Sequence, residues 1–160
     1  MEPLEVRIGP LLRARNLKLA VAESCTGGLV ASRITDVSGS SDYLLGGVVA
    51  YAYDAKVGIL GVTWETLQAH GAVSAETVLE MARGARRIFP ADVAVAISGV
   101  AGPGGGSADK PVGTTYVALV APEGEWSQRH QFQGDRLQNK AASADAALSL
   151  LWEYLNGSTT

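Results

Sequence analysis

The sequence predicts an α/β fold, a three-layer α/β/α sandwich around a mixed, mostly parallel sheet that closes with one C-terminal hairpin. Three patterns carry that expectation. Residues 17–21 are an apolar run that reads as a strand, and residues 92–98 are apolar without alternation, as in a strand covered on both faces. Segments with helical spacing and recognisable caps lie between the strands. Near the C-terminus, Trp126, Gln128, His130 and Phe132 share one side of an alternating stretch and Ser127, Arg129 and Gln131 the other. That stretch follows the turn 122–125 and reads as a half-exposed strand, antiparallel to residues 114–121.

The remaining elements follow in order. Within residues 1–16, Leu4, Ile8, Leu11 and Leu12 have helical spacing, and Pro10 predicts a kink there or a start near it. The strand 17–23 passes through a turn to a helix over 29–34, then a polar loop over 36–42. A second strand spans 43–52, where Gly46-Gly47 permits close backbone approach. Asp54 caps a short helix ending at Leu60, and a second short helix spans 63–70. Ser74 caps a longer one, with Val78, Ala82, Ala85 and Phe89 facing the core and Pro90 as its stop. The loop 99–113 holds six glycines and two prolines, too many for a regular element. Asp135 caps a last long helix with Ala141, Leu148, Leu151, Trp152 and Leu155 inward, before a frayed tail over 157–160.

Composition narrows the function classes. The chain of 160 residues, 47% hydrophobic and 18% charged, is read as one globular domain over 1–160. Its 13 basic and 16 acidic residues are intermixed, for a net charge of −3. With no basic block, neither a nucleic-acid partner nor a membrane-surface helix is expected. Cys25 is the one cysteine, so no intramolecular disulfide forms. The chain opens without a signal-peptide pattern, and no apolar run reaches membrane-spanning length. A soluble cytoplasmic protein is expected. Two histidines, His70 and His130, lack ligand spacing, so no metal is expected.

The stretch Ala22-Glu23-Ser24-Cys25-Thr26-Gly27-Gly28 sits at a strand-to-helix turn. Small hydroxyl and glycine residues there leave backbone N–H groups open to an anion or an acyl oxygen. The plainer alternative is a tight turn with Ser24 as a helix cap, and spacing alone leaves the two balanced. Loop 99–113 is a second backbone-rich turn, and it matches no dinucleotide or P-loop fingerprint. Both turns fall at the carboxyl ends of parallel strands, where ligands collect in open α/β sheets, which suggests a shared pocket for a small anion. Lys56 follows Ser24 by 32 residues. By default it is a surface lysine; in a partly desolvated pocket it could instead lose its proton and activate a serine hydroxyl.

Six motifs occur in register: the Ala22–Gly28 turn, Tyr51…Ala55-Lys56, His70-Gly71-Ala72-Val73-Ser74, Ser98-Gly99-Val100-Ala101-Gly102-Pro103, Lys110-Pro111-Val112-Gly113-Thr114 and Gly134-Asp135-Arg136. Together, over about residues 4–155, they closely resemble the CinA C-terminal domain family, whose stand-alone members are nicotinamide mononucleotide deamidases. The N-terminal domain of full-length CinA proteins is not expected here. The resemblance implies an amidohydrolase that converts nicotinamide mononucleotide to nicotinate mononucleotide and ammonia in pyridine-nucleotide salvage, with no cofactor. It implies a dimer, Ser24 as nucleophile, Lys56 as its base, and Tyr51 moving the proton or lining the pocket. Backbone N–H groups over Cys25, Thr26, Gly27 and Gly28 would then receive the oxyanion. Gly102, Gly104, Gly105 and Ser107 of the loop, with Lys110 and Arg136, would bind the phosphate of the small-molecule nucleotide substrate.

The sequence also departs from the family pattern. The segment that usually reads Tyr-Ser-Asn-Glu-Ala-Lys carries Ala52, Tyr53 and Asp54 in its middle, and Lys140 stands where many members have arginine. Two other readings are therefore kept open. One is a nucleotide-binding or regulatory module that has lost turnover. The other is an interaction domain in DNA uptake, against which the acidic balance argues.

Overall fold

The computed structural model describes residues 1–159. Its centre is a five-stranded sheet in the order β2-β1-β3-β4-β5, with β1 Leu19–Glu23, β2 Leu44–Val49, β3 Val93–Gly99, β4 Thr114–Ala121 and β5 Gly124–Gln131. β1 pairs in parallel with β2 and β3, whereas β3–β4 and β4–β5 are antiparallel. Only β4 therefore runs against the other strands, and β4–β5 is the expected hairpin. The two unbroken apolar runs become β1 and β3 at the middle of the sheet, buried on both faces. Alternation in β5 is as read, with Trp126, Gln128 and His130 half-buried and Ser127, Arg129 and Gln131 exposed.

Side-chain size differs between the faces. Leu19, Val21, Val93, Val95 and Ile97 point into one core with helices α1 Leu4–Ala14, α2 Leu29–Thr35 and α6 Arg136–Leu155. Ala20, Ala22, Ala94, Ala96 and Ala118 point into the other, against α5 Ala75–Ile88. An alanine floor lets α5 lie close, and the approach continues past the sheet: a Cβ on Gly84 would overlap the Leu60 carbonyl. Two short helices, α3 Tyr53–Gly58 and α4 Trp64–His70, connect β2 to α5 on this side.

Caps predicted at Ser74 and Asp135 form, Asp135 as a full capping box with Gln138. Several expectations are corrected. α1 runs without a break from Leu4 to Ala14 with Pro10, which is exposed, inside it, so the proline is not its start. β2 stops at Val49 rather than 52, because the chain leaves the sheet edge after Ala50 donates its N–H to the Glu23 carbonyl. Asp54 is not a cap; it lies inside α3, which begins at Tyr53 with Ala52 at the cap position and no side-chain cap. Ala141 is exposed, since the first turns of α6 bury Asn139 and Ser143 instead. The tail expectation extends to Thr160, which lies outside the described residues. No helix among the described residues is long and apolar enough to cross a membrane.

Candidate active site

β1 ends at Glu23, and the following turn is organised by that carboxylate. Glu23 is 1% exposed. One of its oxygens accepts from the Thr26 hydroxyl at 2.6 Å and from the N–H groups of Gly28 (3.2 Å) and Val30 (2.9 Å). The other accepts from the Ala31 N–H at 3.0 Å. A buried anion at the start of α2 is thus met by the unpaired N–H groups of a helix N-terminus. Left-handed backbone at Gly27 (φ 62°) and Gly28 (φ 105°) lets the chain turn this tightly. Glu23, not Ser24, does the capping, so the helix-cap reading of Ser24 fails.

Ser24 is released for another partner. Its Oγ lies 2.9 Å from Lys56 Nζ. The same ammonium donates to the carbonyls of Ala50 and Tyr51, each at 2.9 Å. Lys56 is 1% exposed, far from the surface lysine that its place on a short helix suggests. β2 and the turn into α3 bring it there: pairing of Glu23 with Val49 sets the Ala50–Tyr51 backbone beside the serine turn. Burial pulls the Lys56 ammonium down to about 8. Cys25 is buried as well, and burial pushes its thiol up to about 11, so its sulfur stays protonated at neutral pH.

Ser24, Cys25 and Lys56 open on a cavity of about 300 Å³ with Tyr51 and Tyr53 on its rim. Its opposite wall is the end of β3 and the loop after it, including Gly102, Gly104 and Gly105. Arg136, the first residue of α6, closes one side: it donates to the Gly102 carbonyl at 2.8 Å and to the Tyr51 hydroxyl at 3.2 Å. Tyr51 therefore gives the lysine its carbonyl, while its hydroxyl faces the arginine. Among the described residues, the N–H groups of Cys25 and Thr26 donate to no protein acceptor, nor do those of Ala101, Gly102, Gly104, Gly105 and Gly106. The Gly27 N–H is taken by the Ser24 carbonyl and that of Gly28 by Glu23.

Other predicted residues stand apart. Thr26, Gly27 and Gly28 form the turn beneath the serine and do not line the cavity. Lys110 Nζ donates to the His70 carbonyl at 2.6 Å, and the Ser107 hydroxyl accepts from the Lys110 N–H at 3.1 Å. Both lie outside the cavity wall, because the loop folds its second half away from the serine. Lys140 also lies outside it, with Nζ 3.9 Å from a Cβ built on Gly27. Neither histidine reaches the cavity, and no metal-binding cluster occurs among the described residues. Two residues with no predicted role matter here. Glu23 could have been suspected as a carboxylate directly before a small-residue turn. Ser98 lines the cavity and is 1% exposed. It ends a strand paired with that of Ser24, a proximity that needs the β1–β3 register to be known.

Fold and site together define a class: an α/β/α sandwich presenting a buried serine–lysine pair beside a glycine-rich wall. The sequence pattern of the CinA C-terminal domain matches residues 1–155. A CinA-like protein of Syntrophobacter fumaroxidans is 47% identical over 154 residues, covering 96% of this chain and 36% of that protein. One from Thermotoga maritima is 47% identical over 156 residues, covering 98% and 38%. The chain thus spans little more than a third of the length of these curated relatives. Among solved structures, competence/damage inducible protein CihA from Agrobacterium tumefaciens superposes with a TM-score of 0.91 at 42% identity, over 96% of this chain and 93% of that one. A CinA superfamily protein from Klebsiella pneumoniae gives 0.92 at 38% identity, over 96% of each chain. The chain belongs to the CinA C-terminal domain family.

Proposed function

We propose that this protein is an amidohydrolase that removes the amide nitrogen of nicotinamide mononucleotide through an acyl-enzyme on Ser24. One observation carries the reading: a buried lysine whose amine contacts Ser24 Oγ at 2.9 Å and two backbone carbonyls. Counting protons explains why those carbonyls matter. A neutral amine keeps two N–H groups and one lone pair. The carbonyls of Ala50 and Tyr51 only accept, so they take both N–H groups and turn the lone pair toward the serine hydroxyl. Ser24 then donates its proton to Lys56 as Oγ attacks the carboxamide carbon. The free N–H of Cys25, which lines the cavity, is the donor left in the turn for the resulting oxyanion. Lys56 passes the proton to the carboxamide nitrogen as the C–N bond breaks and ammonia leaves. Water next attacks the Ser24 ester, giving one proton to Lys56, which passes it to Ser24 Oγ as the carboxylic acid departs and ionises in solution.

The phosphate is assigned to the loop N–H groups of Gly102, Gly104 and Gly105 and to Arg136. Lys110 and Ser107 are left out, as they face elsewhere. Ammonia release from nicotinamide mononucleotide by the purified protein is the direct test, and release no greater than from Ser24→Ala rejects the reading. Tyr53, on the cavity rim where the family segment usually has asparagine, favours a second reading as a binding module without turnover. Calorimetry separates the two: mononucleotide binding that survives Lys56→Ala, with no turnover in either protein, supports the module.

We also propose a homodimer. Among the described residues the outer edge of β2 is unpaired, and Leu45 and Val49 on it, with Tyr51 and Tyr53 just after it, are exposed. Between residues 44 and 63 the only charged residues are Asp54 and the buried Lys56, so two copies of this face would not repel.

A further inference from the structure

Asn139 is a polar side chain in the body of α6 that is 1% exposed. Its amide is fully engaged. Nδ2 donates to the carbonyls of Ala101 and Gly134, both at 3.0 Å, and Oδ1 accepts from the Gly134 N–H at 3.0 Å. Two N–H groups meeting two carbonyls, and an oxygen meeting an N–H, fix which way the amide points. Behind it, the Asn139 carbonyl accepts from the Ser143 hydroxyl at 2.7 Å, and that hydroxyl shares a 3.0 Å hydrogen bond with Thr115 of β4. The side chain is thus anchored toward the sheet and reaches out to the cavity wall.

That wall has few other supports. Loop 100–113 has no regular secondary structure. Among the described residues, hydrogen bonds from 101–106 to the rest of the chain are two: Asn139 to the Ala101 carbonyl and Arg136 to the Gly102 carbonyl. Arg136 and Asn139 lie three residues apart on α6, so one helix end grips two adjacent carbonyls. The serine–lysine pair is held quite differently, by the β1–β2 pairing and the Ala50 and Tyr51 carbonyls.

We infer that Asn139 is a positioning residue. It holds the 101–106 wall and the Arg136 guanidinium where they receive the non-reacting, anionic end of the substrate. This rests on the proposed binding of the mononucleotide in this cavity. Removing its two donors then weakens substrate binding and spares the chemistry. Asn139→Asp keeps the size and the acceptor for Gly134 while placing an anion against two carbonyls; Asn139→Ala removes all three bonds.

With nicotinamide mononucleotide, KM is expected to rise about tenfold in Asn139→Asp while kcat stays within about twofold. Labelling of Ser24 by a small uncharged sulfonyl fluoride, which carries no phosphate, is expected at the wild-type rate. In a cycle with Arg136→Ala, the two KM effects are expected to be less than additive, because both act through the same wall. An unchanged KM in a folded variant overturns the inference, as do fully additive effects or kcat and labelling that fall together with binding. If Asn139→Ala does not fold, Asn139→Asp alone decides. Wild-type protein that binds the mononucleotide without turning it over defeats the amidohydrolase reading but not this one, and calorimetry with Asn139→Asp then gives the binding loss directly. A wild type that does neither overturns both.

Discussion

Lys56 sets the pH dependence of the proposed chemistry. Its neutral form is the active base, and burial lowers its ammonium to about 8. Below that value the protonated fraction grows, so kcat/KM is expected to fall about tenfold per pH unit and to level off above it. A rate profile with its midpoint near that of a lysine in water would show that the amine is not desolvated as the geometry requires. Lys56→Arg, which cannot give up its proton, is expected to lose about a hundredfold or more in kcat. Cys25 should behave oppositely. With its thiol buried and pushed up to about 11, it is expected to resist iodoacetamide in the native protein at pH 8 and react only after unfolding, as mass spectrometry would show. Away from the site, the buried hydroxyl of Tyr43 finds no hydrogen-bond partner among the described residues. Tyr43→Phe is therefore expected to raise stability by about 1 kcal/mol in urea unfolding, rather than lower it.

At the scale of elements, α3 is six residues long and carries Lys56, the proposed base, yet Ala52 at its cap position gives no side-chain cap. The family segment usually places serine there. Ala52→Ser is expected to add about 1 kcal/mol to stability, measured as a shifted denaturation midpoint with unchanged slope. Gly84 gives the reverse lesson. In an open helix, alanine would be favoured over glycine by about 1 kcal/mol. Here its Cβ would strike the Leu60 backbone, so Gly84→Ala is expected to lower stability.

The same elements show what could be read from residues alone. The buried runs of β1 and β3, the alternation of β5 and the caps at Ser74 and Asp135 are local patterns, and they were legible because neighbours in the chain produce them. The burial of Lys56 was not. A lysine on a short helix looks solvated until β2 pairs with β1 and brings two carbonyls to it. The place of Lys110 was hidden for a related reason: charge and sequence proximity to the glycine loop do not say which way a lysine turns, and this one turns to His70. Asn139 gave no local signal at all, since its partners lie 38 residues before it and at the adjoining turn.

For the molecule as a whole, the free edge of β2 invites a direct test of assembly. Light scattering on the wild-type chain is expected to give the dimer mass, and Leu45→Lys with Val49→Lys the monomer mass. A monomeric wild type would remove the proposed interface. Placing lysines there leaves both outside the cavity, so a loss of activity on dissociation would mean that the edge supports the site.

The division of labour around the cavity has a consequence for how such a domain can diversify. The serine–lysine pair depends on β1, β2 and α3, all contributed before residue 59, whereas the glycine wall and Arg136 come from the far half of the chain. A chimera that exchanges residues 100–112 for those of a relative keeps every bond to Lys56. Its preference for the anionic end of a ligand should then travel with the transplanted loop, while the serine–lysine pair stays with the recipient.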